Sequence, residues 1–173
     1  DHDRVHYDLF GLVLGQFFHN GKNEAADKVD AAVLSSVTEN AKAFAQKYEL
    51  DGVLLDAPCA GLGVLSQKPD IKLRLKEEDI PAIVDTQGRL IDTVCRYVRP
   101  GGALVYSTCS LLPEENADRV RAFLQAHPNF TLEPLPTSFP AELRERQTAC
   151  GLQLLGCRDG VEGFFIARMR RVR

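Results

Sequence analysis

Asp51-Gly-Val-Leu-Leu-Asp-Ala-Pro-Cys59 and, further along, Gly102-Ala-Leu-Val-Tyr-Ser-Thr-Cys109-Ser110 decide the fold. Each contains a short apolar run, Val53 to Leu55 and Ala103 to Tyr106, bounded by glycine and turn-forming residues. That pattern is expected of a strand covered on both faces in a parallel sheet. In open α/β sheets ligands bind beyond the carboxyl ends of the strands, which is where Cys59 and Cys109 fall. Two thiols at two strand tips suit covalent catalysis.

Between the two strings, Ile83, Gln87, Leu90, Ile91, Val94 and Val98 recur at helical spacing, with Pro81 suited to a first turn. Pro100-Gly101-Gly102 ends that helix and launches the second strand. A further helix is predicted from Pro113-Glu114-Glu115 to Ala126, its acidic residues at the positive end of the dipole, stopped by His127-Pro128. Residues 130–135 and 163–169 read as an antiparallel strand pair at the sheet edge, joined by an irregular connection over 136–158. The first 48 residues admit two readings. One is a helix over 4–18, a strand over 31–37 and a helix over 39–48 capped by Thr38. The other is a single amphipathic helix over 24–48, because Val29, Val33, Val37, Ala41, Phe44 and Tyr48 share a face. The βαβ alternation favours the first.

At 173 residues, with 45% hydrophobic and 26% charged residues, the composition is that of one globular domain. No apolar stretch approaches the roughly 20 residues needed to span a bilayer; the longest, over 9–18, is broken by Gly11, Gly15 and Gln16. With no charged-then-apolar secretory pattern and an odd count of five cysteines, the expectation is a cytoplasmic chain without a disulfide framework. There is no CxxC pair and the four histidines lack ligand spacing, so no metal site is expected. A net charge of −3 does not advertise a nucleic-acid binder, and any RNA contact must rest on local patches. Lys68, Lys72 and Arg74 form one such patch, to follow an RNA backbone or to make a solvated loop. Singly, a cysteine more often packs as a small hydrophobe, the reading given to Cys95, Cys150 and Cys157. Gly61 and Gly63 serve either a turn or the close approach of a ligand.

Three further strings carry a likeness: Asp56-Ala-Pro-Cys59-Ala-Gly-Leu-Gly63, Lys68-Pro-Asp70-Ile-Lys-Leu-Arg74, and Arg99-Pro-Gly-Gly102 continued through Ser107-Thr-Cys109-Ser-Leu-Leu-Pro-Glu-Glu-Asn116. With the closing Asp159-Gly-Val-Glu-Gly-Phe-Phe-Ile-Ala-Arg168, the chain over about 50–173 resembles the later motifs of RNA cytosine-5 methyltransferases of the Sun or RsmB type. The resemblance implies a Rossmann-like methyltransferase sheet, mostly parallel with an antiparallel edge hairpin. It also implies S-adenosyl-L-methionine as cofactor and RNA as partner, ribosomal ahead of transfer RNA. Residues 49–173 would be the catalytic half and 1–48 the N-terminal part of the same domain.

Cytosine C5 is too electron-poor to attack a methyl sulfonium, but a thiolate added at C6 makes an enamine whose C5 is nucleophilic. Carried over residue by residue, the resemblance makes Cys109 the nucleophile and Cys59 the residue that promotes release. It sets Asp56 against the cytosine, and Asp56 with Pro58 against the cofactor. A free thiol is only a few per cent ionised at neutral pH, so Cys109 needs activation, expected from the helix dipole beginning near Pro113. The family's glycine-rich cofactor turn has no good counterpart here. Either the first strand precedes Asp1, with Asp3 then a ribose-binding carboxylate, or residues 9–48 are a diverged cofactor half. Two rivals stay open: a non-catalytic RNA-binding module, and a DNA-directed enzyme in which Cys59 attacks. No motif sets the oligomeric state.

Overall fold

The computed structural model describes residues 50–173. The elements expected over 4–18, 31–37 and 39–48, the candidate cofactor segment and Asp3 all lie outside the described residues. Strand β1, Leu50–Asp56, is followed by a loop with one short helix, α1, Ile71–Arg74, and then by helix α2, Ile80–Val94. Pro81 sits in the first turn of α2, where its missing N–H costs nothing. Gln87, Ile91 and Val94, at i, i+4 and i+7, form the buried stripe. A single 3-10 turn leads into β2, Val98–Thr108, longer than the apolar run that announced it.

β1 and β2 pair in parallel, Val53 opposite Leu104, Leu55 opposite Tyr106 and Asp56 opposite Ser107. α2 is their crossover, as the sequence pattern requires. Strand β5, Phe164–Arg171, runs antiparallel to β2 on its other side. The far edge of β5 takes two short strands end to end: β3, Phe130–Leu132, and β4, Leu152–Leu154. The sheet order is β1-β2-β5-β3, with β4 also on β5. This mixed α/β sheet is Rossmann-like, its parallel pair continued by an antiparallel edge.

The strands are not covered equally on both faces by the described residues. Val53, Leu55, Leu104, Tyr106, Phe165, Ala167 and Met169 point to one buried face, while Leu54, Val105 and Ile166 between them stay partly exposed. That alternation arises because α2 and helix α3, Ala117–Ala126, pack on the same side, adding Ile91, Val94, Val120 and Phe123 to one core. Tyr106 and Phe165 meet edge to face at 6.3 Å, and Phe123 and Phe130 at 5.3 Å.

Two expectations need correcting. α3 begins at Ala117, because residues 112–116 close as turns: the Glu115 N–H bonds to Leu112 O and the Asn116 N–H to Pro113 O. The connection over 136–158 is not irregular throughout. It holds helix α4, Ala141–Glu145, strand β4 and helix α5, Gly156–Asp159. No helix among the described residues is long and apolar enough to cross a membrane.

Candidate active site

The register of β1 on β2 builds the site. Asp56, the last residue of β1, lies opposite Ser107, one residue short of the end of β2; Cys59 follows three residues past the first tip and Cys109 one past the second. The Ala57 N–H donates to Ser107 O at 2.9 Å, prolonging the ladder by one rung. Ser107 Oγ donates to Asp56 Oδ1 at 3.0 Å. The outcome is a separation of 3.3 Å between Cys59 Sγ and Cys109 Sγ, with Cys59 buried and Cys109 partly exposed.

The two sulfurs are not equivalent. The hydrogen bond to Cys109 pushes the Cys59 thiol up, and burial and the negative charges of Cys109 and Glu115 push it the same way. Cys109 moves down, chiefly because the Cys59 S–H bonds to it; Lys68 helps, while burial and the Asp56 charge oppose. Either sulfur can donate in this contact, and burial and the surrounding charge favour the proton on Cys59 and the thiolate on Cys109. The expected source of activation, a helix dipole at Pro113, is replaced by a neighbouring thiol, since α3 starts eight residues past Cys109.

Beneath the thiols lies a polar network that the sequence did not disclose. Glu115, expected only as an acidic residue at the positive end of a helix dipole, is fully buried. Its Oε2 accepts from the Ala60 N–H at 3.0 Å and from Gln87 Nε2 at 2.8 Å, and its Oε1 accepts from Ser110 Oγ at 2.5 Å. Gln87 Nε2 also donates to Pro58 O at 2.9 Å, so Gln87 ties α2 to the Cys59 loop. Tyr106 OH donates to Glu115 O at 2.7 Å. On the Cys109 side, Asn116 Oδ1 accepts from Thr108 Oγ1 at 2.6 Å while its Nδ2 donates to Ser110 O at 2.9 Å and Gln153 Oε1 at 2.7 Å. One signal was available: Gln87 is a polar residue in the middle of an apolar helical stripe.

The two loop glycines have different work. Gly61 adopts φ 73° and makes the turn after Cys59. Gly63 lies against backbone: its N–H donates to Cys109 O at 2.8 Å and its carbonyl accepts from the Gly163 N–H at 2.9 Å. A Cβ there would stand 2.1 Å from Gly163 O. Of the candidate RNA-binding cations, Lys68 acts electrostatically on Cys109, Lys72 is exposed on α1, and Arg74 is ion-paired with Asp70. Asp56 is half-buried and engaged through one carboxylate oxygen, while the Pro58 carbonyl is already taken by Gln87. Cys95 packs in the core as expected and Cys150 against its margin, but Cys157 is exposed on α5 rather than buried. Among the described residues no three histidine, cysteine or carboxylate side chains cluster as metal ligands.

The Rossmann-like sheet is shared with solved structures that include a methyltransferase homologue from Pyrococcus horikoshii, 31% identical with a TM-score of 0.54 over 73% of this chain and 40% of that one. The chain belongs to the 16S rRNA methyltransferase RsmB/F family, whose model matches residues 24–170. It is 36% identical over 154 residues to the probable ribosomal RNA small subunit methyltransferase B of Bacillus subtilis (strain 168), covering 86% of this chain and 34% of that protein. To ribosomal RNA small subunit methyltransferase B of Pasteurella multocida (strain Pm70) it is 40% identical over 124 residues, 72% of this chain and 26% of that one. Among solved structures, PH0851 is similar with a TM-score of 0.61 and 36% identity, over 69% of this chain and 26% of its own. NSun6 from Pyrococcus horikoshii with SFG gives 0.57 and 30%, over 70% and 30%. The chain thus spans 40% or less of the length of these relatives.

Proposed function

We propose that this chain is the catalytic half of an S-adenosylmethionine-dependent RNA cytosine-5 methyltransferase acting on small-subunit ribosomal RNA through a covalent Cys109 adduct. The observation that carries the reading is the 3.3 Å approach of a buried and a partly exposed sulfur at neighbouring strand tips, and the opposite directions in which their surroundings push the two thiols support it. The relatives named for ribosomal RNA methylation support the substrate class.

The residues suffice for a closed proton cycle. Cys109 adds as thiolate to C6, forming the C–S bond and making C5 nucleophilic. Cys109 sulfur is then a neutral thioether, so its charge and the strong hydrogen bond it offered the Cys59 proton are lost, while burial and the Glu115 charge remain. Cys59 releases that proton to solvent and, once C5 carries its methyl group, takes the C5 proton as the C6–S bond breaks. Cys109 leaves as thiolate and Cys59 is again the thiol, so one proton is lost per methyl gained. S-adenosylmethionine, when bound, supplies the methyl group from its sulfonium. The oxygen of Asp56 that does not accept from Ser107 is free among the described hydrogen bonds, which fits a donor from cytosine or from the cofactor. Asp56 and Pro58 would hold the cofactor from this side, and Lys68, with Lys72 and Arg74 beyond it, would face the RNA backbone.

The test is adduct trapping. Incubated with small-subunit ribosomal RNA and S-adenosylmethionine, Cys59→Ala is expected to leave a protein–RNA complex that survives a denaturing gel, and Cys109→Ala none. The reverse result would transfer the nucleophile to Cys59. Calorimetry without detectable cofactor binding would instead favour an RNA-binding module.

A further inference from the structure

The Glu115 network reaches both thiols and has no part in the proton cycle above. Ala60 and Pro58 bracket Cys59, and Ser110 follows Cys109; all three are tied, directly or through Gln87, to one buried carboxylate. Ser110 Oγ accepts from the Leu112 N–H, so its own proton is free for Glu115 Oε1. Every partner of the carboxylate is then a donor, which is the bonding of an ionised group. No lysine or arginine pairs with Glu115 among the described residues. A buried carboxylate held by neutral donors alone costs desolvation that a hydrophobic residue would not. We propose, building on the two-thiol reading above, that Glu115 is a positioning residue that assigns the roles of the two cysteines by clamping the Pro58-Cys59-Ala60 turn against the Cys109 loop and setting a fixed negative charge behind Cys59.

The charge has a consequence at each stage. Before attack it adds to the Cys109 hydrogen bond and to burial in opposing ionisation of Cys59. After attack it keeps Cys59 a strong base for the C5 proton. The other charged or titratable groups around the pair are Asp56 at the β1 tip and Lys68 in the loop beyond, both facing Cys109. Tyr106 on β2 faces Cys59 and Glu115, and Arg119 on α3 acts on Tyr106. None of these others ties the Cys59 turn to the Cys109 loop, as Glu115 does.

Glu115→Gln removes the charge at nearly constant shape: its amide oxygen can keep the hydrogen bonds from Ala60 and Gln87, while its amide nitrogen donates to Ser110 Oγ and reverses the third. The readout is the pH dependence of iodoacetamide labelling at Cys59, followed by peptide mass spectrometry in the full chain carrying Cys109→Ser. Adding Glu115→Gln is expected to lower the midpoint by about one pH unit or more, the effect of removing a close buried charge. Glu115→Asp, which retains the charge, should leave it nearer the parent. A midpoint unmoved by Glu115→Gln would overturn the proposal, since a purely structural role predicts that result. Should Glu115→Gln not fold, Gln87→Leu cuts the clamp from the other side. It should slow diamide cross-linking of Cys59 to Cys109 by about threefold or more, and an unchanged rate would overturn the proposal equally. If the Cys109 assignment itself is at fault, Cys59 will label ahead of Cys109 in the unmutated chain, whatever Glu115 does.

Discussion

Gly63→Ala is the substitution whose cost the structure specifies best. The added Cβ would lie 2.1 Å from Gly163 O, 2.7 Å from Gly163 C and 2.8 Å from Cys109 O, all backbone atoms that no rotamer change can clear. A carbon and a carbonyl oxygen settle at about 3.3 Å, so the loops must part by about 1.2 Å. That strains or breaks the Gly63 N–H bond to Cys109 O and the Gly163 N–H bond to Gly63 O. Two hydrogen bonds at about 1 kcal/mol each and overpacking at about 1–3 kcal/mol predict a loss of about 3–5 kcal/mol. Urea denaturation measures it, with Gly160→Ala as control: at φ 65° and with nothing within 4 Å, that change meets only left-handed backbone strain, about 1–2 kcal/mol. Because the broken bond holds the Cys109 carbonyl, iodoacetamide labelling of Cys109 should change in Gly63→Ala and not in Gly160→Ala. A Gly63→Ala protein no less stable than Gly160→Ala would refute the reasoning, since the close backbone contact would then not exist.

Further outcomes follow from the same geometry. Cys59→Ala removes the S–H that lowers Cys109, so the pH of half-maximal Cys109 labelling should rise; a fall, or no change, would mean that Cys59 is not the donor. Asn116→Ala strands the Thr108 hydroxyl and Gln153 Oε1 and removes a donor from Ser110 O, at about 2–4 kcal/mol in urea unfolding; a cost near zero would mean that water replaces Asn116 freely.

How much of this the sequence disclosed varies with how local the cause is. β1, α2 and β2 were legible because short apolar runs, a helical stripe and a Pro-Gly-Gly break each act within a few residues of where they are read, although the runs pointed to strands covered on both faces and burial in the described residues alternates. The meeting of Cys59 and Cys109 was legible too, because adjacent parallel strands that end within one residue of each other must bring their tips together. β4 was not, since three residues centred on Gln153 are too short to show a period. Glu115 was read only as a first-turn glutamate meeting the helix dipole, because its buried contacts are not local. Its actual partners, Ala60 and Gln87, lie 55 and 28 residues away. The role of Gly63 depends on Gly163, which no local pattern links to it.

Diamide oxidation followed by non-reducing peptide mapping tests the convergence of the two sulfurs most directly. Of the five cysteines, Cys157 is the most exposed and Cys95 is buried in the core, so chance reactivity favours Cys157. The geometry instead predicts one dominant intramolecular product, the Cys59–Cys109 disulfide, reached from 3.3 Å by a small side-chain motion. A map dominated by Cys157 linkages, with Cys59 and Cys109 recovered as separate free thiols, would contradict the account at its root.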